Sequence, residues 1–213
     1  NEFNYPRYNL LKIRTLGIIL ASPIFLNLIR VVSVAIFLLT IVTALLGTSK
    51  SLENFAPTWV WIIWWVGMTY ISAMIGNFWI VINPWKITYE WINKLFGGKS
   101  QNYVGMYRYP KSWDIWPAFI LFLAFAWIEN VSSSAHIPYR LGLLIIVYSL
   151  ITWAGMITFG KNMWLRHGEF FSILFGLFSR FSPTEVHVSN ARLCSHKDSE
   201  LCHLPDCYEC FEE

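Results

Sequence analysis

Long apolar runs alternate with short polar segments along this chain. Four of the runs are long enough to cross a membrane as helices, since about 30 Å of hydrocarbon requires roughly 20 apolar residues. They cover residues 31–47, with an extension back to about residue 28, and residues 57–83, 115–131 and 139–160. Inside a bilayer the backbone must hydrogen-bond to itself, and helices do so. The pattern predicts an all-α integral membrane protein with four transmembrane helices.

Three further apolar stretches are too short or too interrupted to span. The first, residues 15–29, is interrupted by Pro23 and Asn27. The second, residues 87–96, is short and amphipathic and is expected to lie on the surface. The third ends before Pro183, because proline cannot continue a helix there. The predicted organisation is an N-terminal interfacial segment (1–30), a four-helix transmembrane region (31–182) with a loop (84–114) and an interfacial or re-entrant helix (169–181), and a small Cys/His-rich tail (183–213).

Composition supports the membrane interpretation. Charged residues make up 14% of the chain and hydrophobic residues 55%, whereas a soluble domain carries about 25% charged residues. Aromatic residues account for 18%, and aromatic rings with a polar edge concentrate at the membrane–water boundary. The net charge of +3 is too small for a nucleic-acid-binding protein. Composition therefore indicates the lipid bilayer as the environment, favours other membrane subunits as partners and excludes nucleic acid.

Lys and Arg residues collect in alternate segments between the predicted spans. Because these residues stay on the cytoplasmic side, both termini and the 84–114 loop are predicted to face the cytoplasm of a multi-pass plasma-membrane protein. The two opposite loops carry only Lys50 and Arg140. The basic residues on the predicted cytoplasmic side are Arg7, Lys12, Arg14, Arg30, Lys86, Lys94, Lys99, Arg108, Lys111, Lys161, Arg166 and Arg180.

The sharpest local signal is the polar tail, which holds all four cysteines of the chain. The C-x-x-C spacing of its last two cysteines lets two thiolates reach one metal ion, and four protein ligands complete a structural zinc site. The tail therefore predicts zinc, with an iron–sulfur cluster as the alternative metal. Disulfides or an unbound tail are the other interpretations, although reduced cytoplasmic thiols favour metal. The candidate ligands are Cys194, Cys202, Cys207, Cys210, His196 and His203.

Glu129 and His136 form a second candidate site. Ionisable residues in membrane segments are costly and often functional. Glu129 follows about 20 Å of apolar helix, which should carry it to the outer interface, and His136 lies one short loop away. The two residues predict an outward-facing polar pocket, with a helix end in water as the alternative. Catalytic residues stay unknown, because the sequence has no nucleophile-elbow, zinc-protease, Walker or dinucleotide motif.

Polar residues inside the apolar runs predict contacts between helices. Asn77 and Asn83 are expected to hydrogen-bond neighbouring helices, with substrate contact as the alternative. Glu169 is expected to cap the helix that follows it, because its charge would meet the helix dipole. Pairing of Glu169 with His167 around a turn is the other interpretation. Four tryptophans of the second run predict an interfacial belt rather than a ligand cage: Trp59, Trp61, Trp64 and Trp65.

Several short strings, taken together, resemble one family. They include Asn54-Phe55-Ala56-Pro57-Thr58, Asn83-Pro84-Trp85, Trp116-Pro117-Ala118, Trp164-Leu165-Arg166-His167-Gly168-Glu169 and Phe175-Gly176-Leu177-Phe178-Ser179-Arg180-Phe181-Ser182-Pro183. From about Ser22 to Pro183 the chain is similar to polytopic membrane proteins of bacteria and archaea that are commonly labelled fenitrothion hydrolase. The resemblance implies a multi-pass membrane protein and, through that label, hydrolysis of organophosphate esters, but it carries no catalytic residue onto this sequence. Family members are longer, which implies that this chain is a fragment.

Three functions are compatible with these observations. The aromatic helix faces, with no catalytic constellation in the sequence, favour a non-catalytic subunit or scaffold of a larger membrane assembly with a structural metal-binding tail. A membrane-bound hydrolase of organophosphates or esters is the alternative that the resemblance implies. A transporter component is the third, and it would require polar residues near the middle of the membrane.

Overall fold

All regular structure in the described part of the chain is helical. The computed structural model describes residues 22–96, 105–132 and 136–183, and no strand occurs in these ranges. The all-α prediction is therefore confirmed. The elements are α1 (Pro23–Leu46), α2 (Phe55–Thr58), the π-helix π1 (Trp59–Val66), α3 (Gly67–Met74), α4 (Trp79–Ile82), α5 (Pro84–Leu95), α6 (Trp116–Asn130), α7 (Pro138–Phe159), α8 (Lys161–His167) and α9 (Phe170–Ser179).

Among the described residues, two helices, α1 and α7, are long and apolar enough to cross a membrane. Their 24 and 22 residues correspond to about 36 and 33 Å at 1.5 Å per residue, against about 30 Å of hydrocarbon. Only 17% and 33% of their most apolar stretches are buried, whereas the core helix of a soluble protein is mostly buried. The α7 helix agrees with the predicted fourth span to within one residue at each end.

The first helix begins earlier than predicted. Pro23 occupies its first turn, where the missing N–H costs nothing because no helical acceptor precedes it. The helix then continues through Asn27 and Arg30 to Leu46 without a break. Residues 23–30 therefore belong to the same helix as the predicted first span, and their assignment to an interfacial segment stays a prediction.

The predicted second span is broken. Helical structure runs from Phe55 through π1 and ends at Met74. The break follows at Gly76, whose φ of 132° is rare for residues with a side chain. The chain restarts as the short helix α4 and then as α5. The third predicted span is α6, which has only 15 residues and a length of about 22 Å. Two helices of spanning length are thus present in the described residues, and the count of four spans stays a prediction.

The core lies where α9 packs against α3, α6 and α8. Phe171 and Phe175 of α9 are buried there, so α9 inserts into the protein rather than lying along its surface. The first half of α5 is buried as well, including Trp85 and Ile87, while Leu95 at its end is exposed. The prediction of a surface helix is therefore wrong for the first half of α5.

A close approach of two helices joins α1 to α7. A Cβ atom on Gly142 of α7 would lie 3.0 Å from the Cβ of Ala44 and 2.9 Å from a Leu45 methyl carbon in α1. Small residues at such crossings let apolar helices pack closely in a membrane. The two longest apolar helices therefore form one packed pair.

Contacts at the two ends of this pair agree with the predicted loop arrangement. At one end the Ser51 hydroxyl donates to the backbone oxygen of His136, which joins the two loops poor in Lys and Arg. At the other end, ion pairs join Glu90 to Arg30 and Lys161, which come from three segments predicted to share one side. The basic segments therefore do meet at one end of the molecule.

Candidate functional site

A buried carboxylate, Glu169, organises the centre of the described structure. Glu169 precedes α9 and accepts hydrogen bonds from the backbone N–H groups of Phe171, at 3.1 Å, and Ser172, at 2.8 Å. These are orphan donors of the first helical turn, which lack acceptors within the helix. The predicted capping role is therefore confirmed. What the sequence did not indicate is that Glu169 is 0% exposed.

Four side chains also donate to this carboxylate, three of them from other parts of the core. Trp79 Nε1 and Asn83 Nδ2 each lie 3.4 Å from Oε2, and the Ser172 hydroxyl reaches the same oxygen. The Tyr148 hydroxyl, from the middle of α7, donates to Oε1. With the two backbone donors, six hydrogen bonds meet two oxygens that have about four lone-pair sites. The carboxylate is therefore saturated by its own protein and connects α4, α7 and α9.

Asn83 places a second helix start against the same carboxylate. Its side-chain oxygen accepts from the N–H groups of Trp85, at 3.0 Å, and Lys86, at 3.1 Å, and so caps α5. Its amide nitrogen donates to Glu169 and to Ser172. Two helix N-termini, each with a partial positive charge, therefore converge on one negative group, which lowers the cost of burying it. The prediction that Asn83 links helices is confirmed.

Aromatic rings enclose this polar centre. Trp64 contacts Phe171 edge-on at 4.6 Å and Trp79 at 5.5 Å between ring centroids, and Trp65 contacts Phe125 at 4.9 Å. Such edge-to-face pairs add about 0.5–1.5 kcal/mol each beyond their buried area. Trp64 and Trp65 thus pack against the core with partly buried rings, and the interfacial belt stays a prediction.

A second polar group, centred on Glu90, lies at the basic end of the molecule. Glu90 Oε1 is 2.9 Å from Lys161 Nζ, and Oε2 is 3.8 Å from an Arg30 guanidinium nitrogen. The side chains are only partly exposed, at 15% for Glu90, 10% for Lys161 and 25% for Arg30. Lys86 lies one turn before Glu90 on the same face of α5 and is buried. This basic end joins α1, α5 and α8.

A large apolar cavity of about 620 Å³ adjoins the aromatic core. Its walls come from α1, π1, α6 and α7, and it is open at the side, since Leu28, Val32 and Val147 in its wall are exposed. Tyr148 and Phe171 also line it, so only one layer of rings separates the cavity from Glu169. A cavity of this volume is in the range that holds small organic ligands.

The Glu129–His136 pocket is not assembled as a bonded pair. Glu129 is half-buried near the end of α6, and His136 is exposed in the following loop. No hydrogen bond or ion pair joins their side chains in the part of the chain that the structure describes. His136 is held instead through its backbone oxygen, which accepts from Ser51. A pocket formed by these residues stays a prediction.

His167 does not pair with Glu169. Its ring lies 5.4 Å from the ring of Tyr109, and its Nδ1 is 3.2 Å from the backbone oxygen of Met163. Tyr109 donates to the backbone oxygen of Asp114 at 2.8 Å, and burial together with the Asp114 charge raises the pKa of Tyr109. His167 thus helps to fix the 105–115 loop on α8 rather than to activate a carboxylate.

The predicted metal ligands of the tail, Cys194, Cys202, Cys207, Cys210, His196 and His203, lie outside the described residues. Within the described ranges, no three His, Cys, Asp or Glu side chains come together as a metal-binding group. The zinc and iron–sulfur interpretations of the tail therefore stay predictions.

Sequence reasoning missed Tyr148, Trp79 and Ser172 as partners of Glu169. One signal was present for Ser172, which stands three residues after the capping residue, where side chains of a first turn meet their cap. Tyr148, Ser149 and Thr152 also form a polar cluster within the apolar run of α7. Helical spacing places them near one face, and that face turns towards α9 and α5.

Comparison with known proteins does not assign this chain to a family or a function. The chain matches no protein-family model, no curated protein and no solved structure. The resemblance described from the sequence therefore stays an expectation.

Proposed function

We propose that this chain is an integral membrane protein that serves as a non-catalytic subunit or scaffold of a larger membrane assembly. The observation that carries the proposal is the outward face of α6, a stripe of large apolar side chains at helical spacing. Their exposed fractions range from 44% to 65%, although they stand beside a tightly packed core. The stripe consists of Trp116, Phe119, Ile120, Leu123 and Trp127.

The length of α6 supports a protein partner for this stripe. At about 22 Å the helix is shorter than the hydrocarbon layer, and short apolar helices relieve such a mismatch by thinning the bilayer or by oligomerising. Tryptophan is also enriched among the residues that dominate protein interfaces. We propose an apolar helix of another subunit as the occupant of the stripe.

Photo-crosslinking tests the assembly. A benzoylphenylalanine at Leu123 should crosslink to one defined partner, whereas the same group at Val42, an exposed residue of α1, should not. The partner should remain bound in native mass spectrometry and be lost in the Phe119→Ala, Leu123→Ala double variant. A solitary monomer under native purification would contradict the proposal. Hydrolysis of a phosphotriester or ester by that monomer would favour the hydrolase that the resemblance implies.

The location of the polar centre favours a transporter component as a second candidate. Tyr148 stands in the middle of α7, so the Tyr148–Glu169 hydrogen bond would lie near the middle of the bilayer. Ionisable groups at that depth often mark ion or proton pathways. Proton uptake into proteoliposomes that Glu169→Gln abolishes, without loss of the folded state, would support this candidate over the scaffold.

We propose that both termini and the 84–114 loop face the cytoplasm and that four segments cross the membrane. The ion pairs of Arg30 and Lys161 with Glu90, at one end of the molecule, support a common side for these three segments. In a variant without native cysteines, cysteines at Ser51 and Ser100 should label from opposite sides. Labelling of both from outside would contradict this topology.

The tail is proposed to bind one structural zinc through Cys202, Cys207 and Cys210, with Cys194 or a histidine as the fourth ligand. A structural zinc contributes about 10 kcal/mol or more to ordering such a segment. Elemental analysis of protein purified without chelator should therefore find one zinc per chain, and Cys207→Ser should release it. Intact cysteine bridges without zinc or iron would contradict the proposal and place the tail in an oxidising compartment.

A further inference from the structure

The inner wall of the open cavity is aromatic, and two of its rings are bonded to Glu169. Tyr148 and Trp79 both line the cavity. The hydroxyl of Tyr148 donates to one carboxylate oxygen of Glu169, and the indole nitrogen of Trp79 lies 3.4 Å from the other. The carboxylate therefore engages the polar hydrogen of each residue, and the cavity is left with their aromatic rings.

Rings that donate to a carboxylate are good partners for a cation. A donor bound to an anion is polarised towards it, as groups in hydrogen-bond chains polarise one another, and this leaves more electron density on the ring. The face of an aromatic ring attracts a cation within about 6 Å of its centroid, most strongly for tryptophan. Trp64 and Phe171 also line the cavity and pack on Trp79, with ring centroids 5.5 and 6.2 Å away. The inner wall therefore offers several rings to one positive charge.

Charge complementarity favours the same class of ligand. Glu169 carries a formal negative charge, takes its six hydrogen bonds from neutral donors and forms no ion pair within the described residues. Two helix N-termini offset part of this charge, but they bring no cationic group to the site. Glu90, in contrast, has Lys161 and Arg30 as counter-ions. The buried carboxylate thus leaves a negative field at the aromatic wall.

We propose that the cavity binds a lipophilic organic cation, whose charge lies against the rings of Trp79 and Tyr148 in the field of Glu169. The apolar substituents of the cation would occupy the rest of the cavity, and its open side would admit the ligand from the lipid. The inference rests on the membrane location proposed above. Carbonate extraction of membranes tests that location separately, so that failure of the location and failure of the cation site are distinguishable.

Two ions of nearly the same size and shape, tetraphenylphosphonium and tetraphenylborate, test the recognition of charge. Each is titrated into the full chain in detergent micelles, with a correction for its partition into empty micelles. Tetraphenylphosphonium should raise the thermal unfolding midpoint, because a ligand that binds only the folded state stabilises it. Opposite unit charges about 7 Å apart, at an effective dielectric constant of about 20, change affinity by roughly 50-fold. Because the helix dipoles reduce this, we expect tetraphenylphosphonium to bind at least about tenfold more tightly than tetraphenylborate.

The variant Glu169→Gln assigns that preference to the buried carboxylate. It removes the charge and keeps the shape of the side chain, so it should weaken tetraphenylphosphonium binding by at least about tenfold and should not weaken tetraphenylborate binding. Each variant is compared with its own ligand-free midpoint. Glu53→Gln is the matched control, since the Glu53 side chain is 60% exposed and its charge is screened by water and salt.

A second pair of variants tests the cavity without touching the polar centre. Ala124 of α6 lines the cavity and is exposed, whereas Ala35 of α1 is exposed and does not line it. Ala124→Leu should fill part of the cavity and weaken tetraphenylphosphonium binding by about fivefold, which corresponds to the loss of roughly 40 Å² of apolar contact. Ala35→Leu should leave the affinity unchanged. Both positions are exposed and helical, so both variants should fold.

Four results would overturn the proposal. Equal binding of the two ions would show that the cavity recognises apolar surface and not charge. Unchanged binding of tetraphenylphosphonium to folded Glu169→Gln would remove the carboxylate from the site. Equal effects of Ala124→Leu and Ala35→Leu would place the ion elsewhere. A dimer in ligand-free detergent that Ala124→Leu dissociates would identify a second copy of the chain as the occupant.

Discussion

Two carboxylates, Glu169 and Glu90, are held in the same molecule by different means. Glu169 is 0% exposed and receives six hydrogen bonds from neutral donors. Glu90 keeps 15% of its side-chain surface exposed and is held by Lys161 and Arg30. The first lies against the middle of α7, and the second lies at the basic end of the molecule.

The two carboxylates are held differently because water reaches Glu90 but not Glu169. A charge removed from water loses several kcal/mol of hydration, and burying a cation beside it adds the same cost again. At Glu169, neutral N–H and O–H dipoles and two helix N-termini replace water without a second buried ion. At Glu90, partial exposure lets the charges keep some hydration, so ion pairing is less costly. Removing each carboxylate should therefore have effects of different size and different salt dependence.

The largest effect is expected from Glu169→Ala. It would leave buried donors on Trp79, Asn83 and Tyr148 without their acceptor, and each stranded donor costs about 1–3 kcal/mol. We expect a loss of more than about 4 kcal/mol in the free energy of unfolding, measured by denaturant titration in micelles through tryptophan fluorescence. Glu169→Gln keeps one acceptor and should lose less. A loss in Glu169→Ala no larger than that in Glu90→Ala would remove the distinction between the two carboxylates.

An intermediate effect is expected from Gly155→Ala, which disturbs the packing of the core without touching a hydrogen bond. A Cβ on Gly155 would lie 2.2 Å from the indole ring of Trp164, whereas a Cβ on Gly67 would meet nothing within 4 Å. Overpacking costs about 1–3 kcal/mol, so Gly155→Ala should lower the unfolding midpoint. Gly67→Ala is the same change in an open helical position and should be neutral or stabilising by up to about 1 kcal/mol. Equal effects of both would show that Trp164 moves aside.

The smallest effect is expected from Glu90→Gln. It removes the ion pairs with Lys161 and Arg30, and partial exposure should limit the loss to about 1–2 kcal/mol. The loss should shrink as salt rises, because salt screens exposed charges more than buried ones. The loss in Glu169→Gln should not depend on salt. The exposed pair Lys50–Glu53 supplies the control, since Lys50→Gln should cost no more than about 0.5 kcal/mol. A salt-independent loss at Glu90 would show that it is as isolated from water as Glu169.

Several features of this chain could be predicted from interactions between residues that are close in the sequence. The two longest helices follow from apolar runs of α1 and α7, because backbone hydrogen bonding and apolar length depend on neighbouring residues alone. Capping by Glu169 followed from an acidic residue before an apolar stretch. The meeting of the basic segments at Glu90 agreed with the distribution of Lys and Arg.

The tertiary structure decided which helix faces meet. The second apolar run is continuous by hydropathy, but its helix is interrupted near Gly76, which takes a φ of 132°. Trp64 turns inward against Phe171, although its position in the run suits an interface equally well. The donation from Tyr148 to Glu169 joins residues 21 positions apart. Periodicity determines which residues share a face of a helix. Which other helix packs on that face depends on long-range packing that also has to satisfy the buried polar groups. That packing is determined only when all the helices are in place.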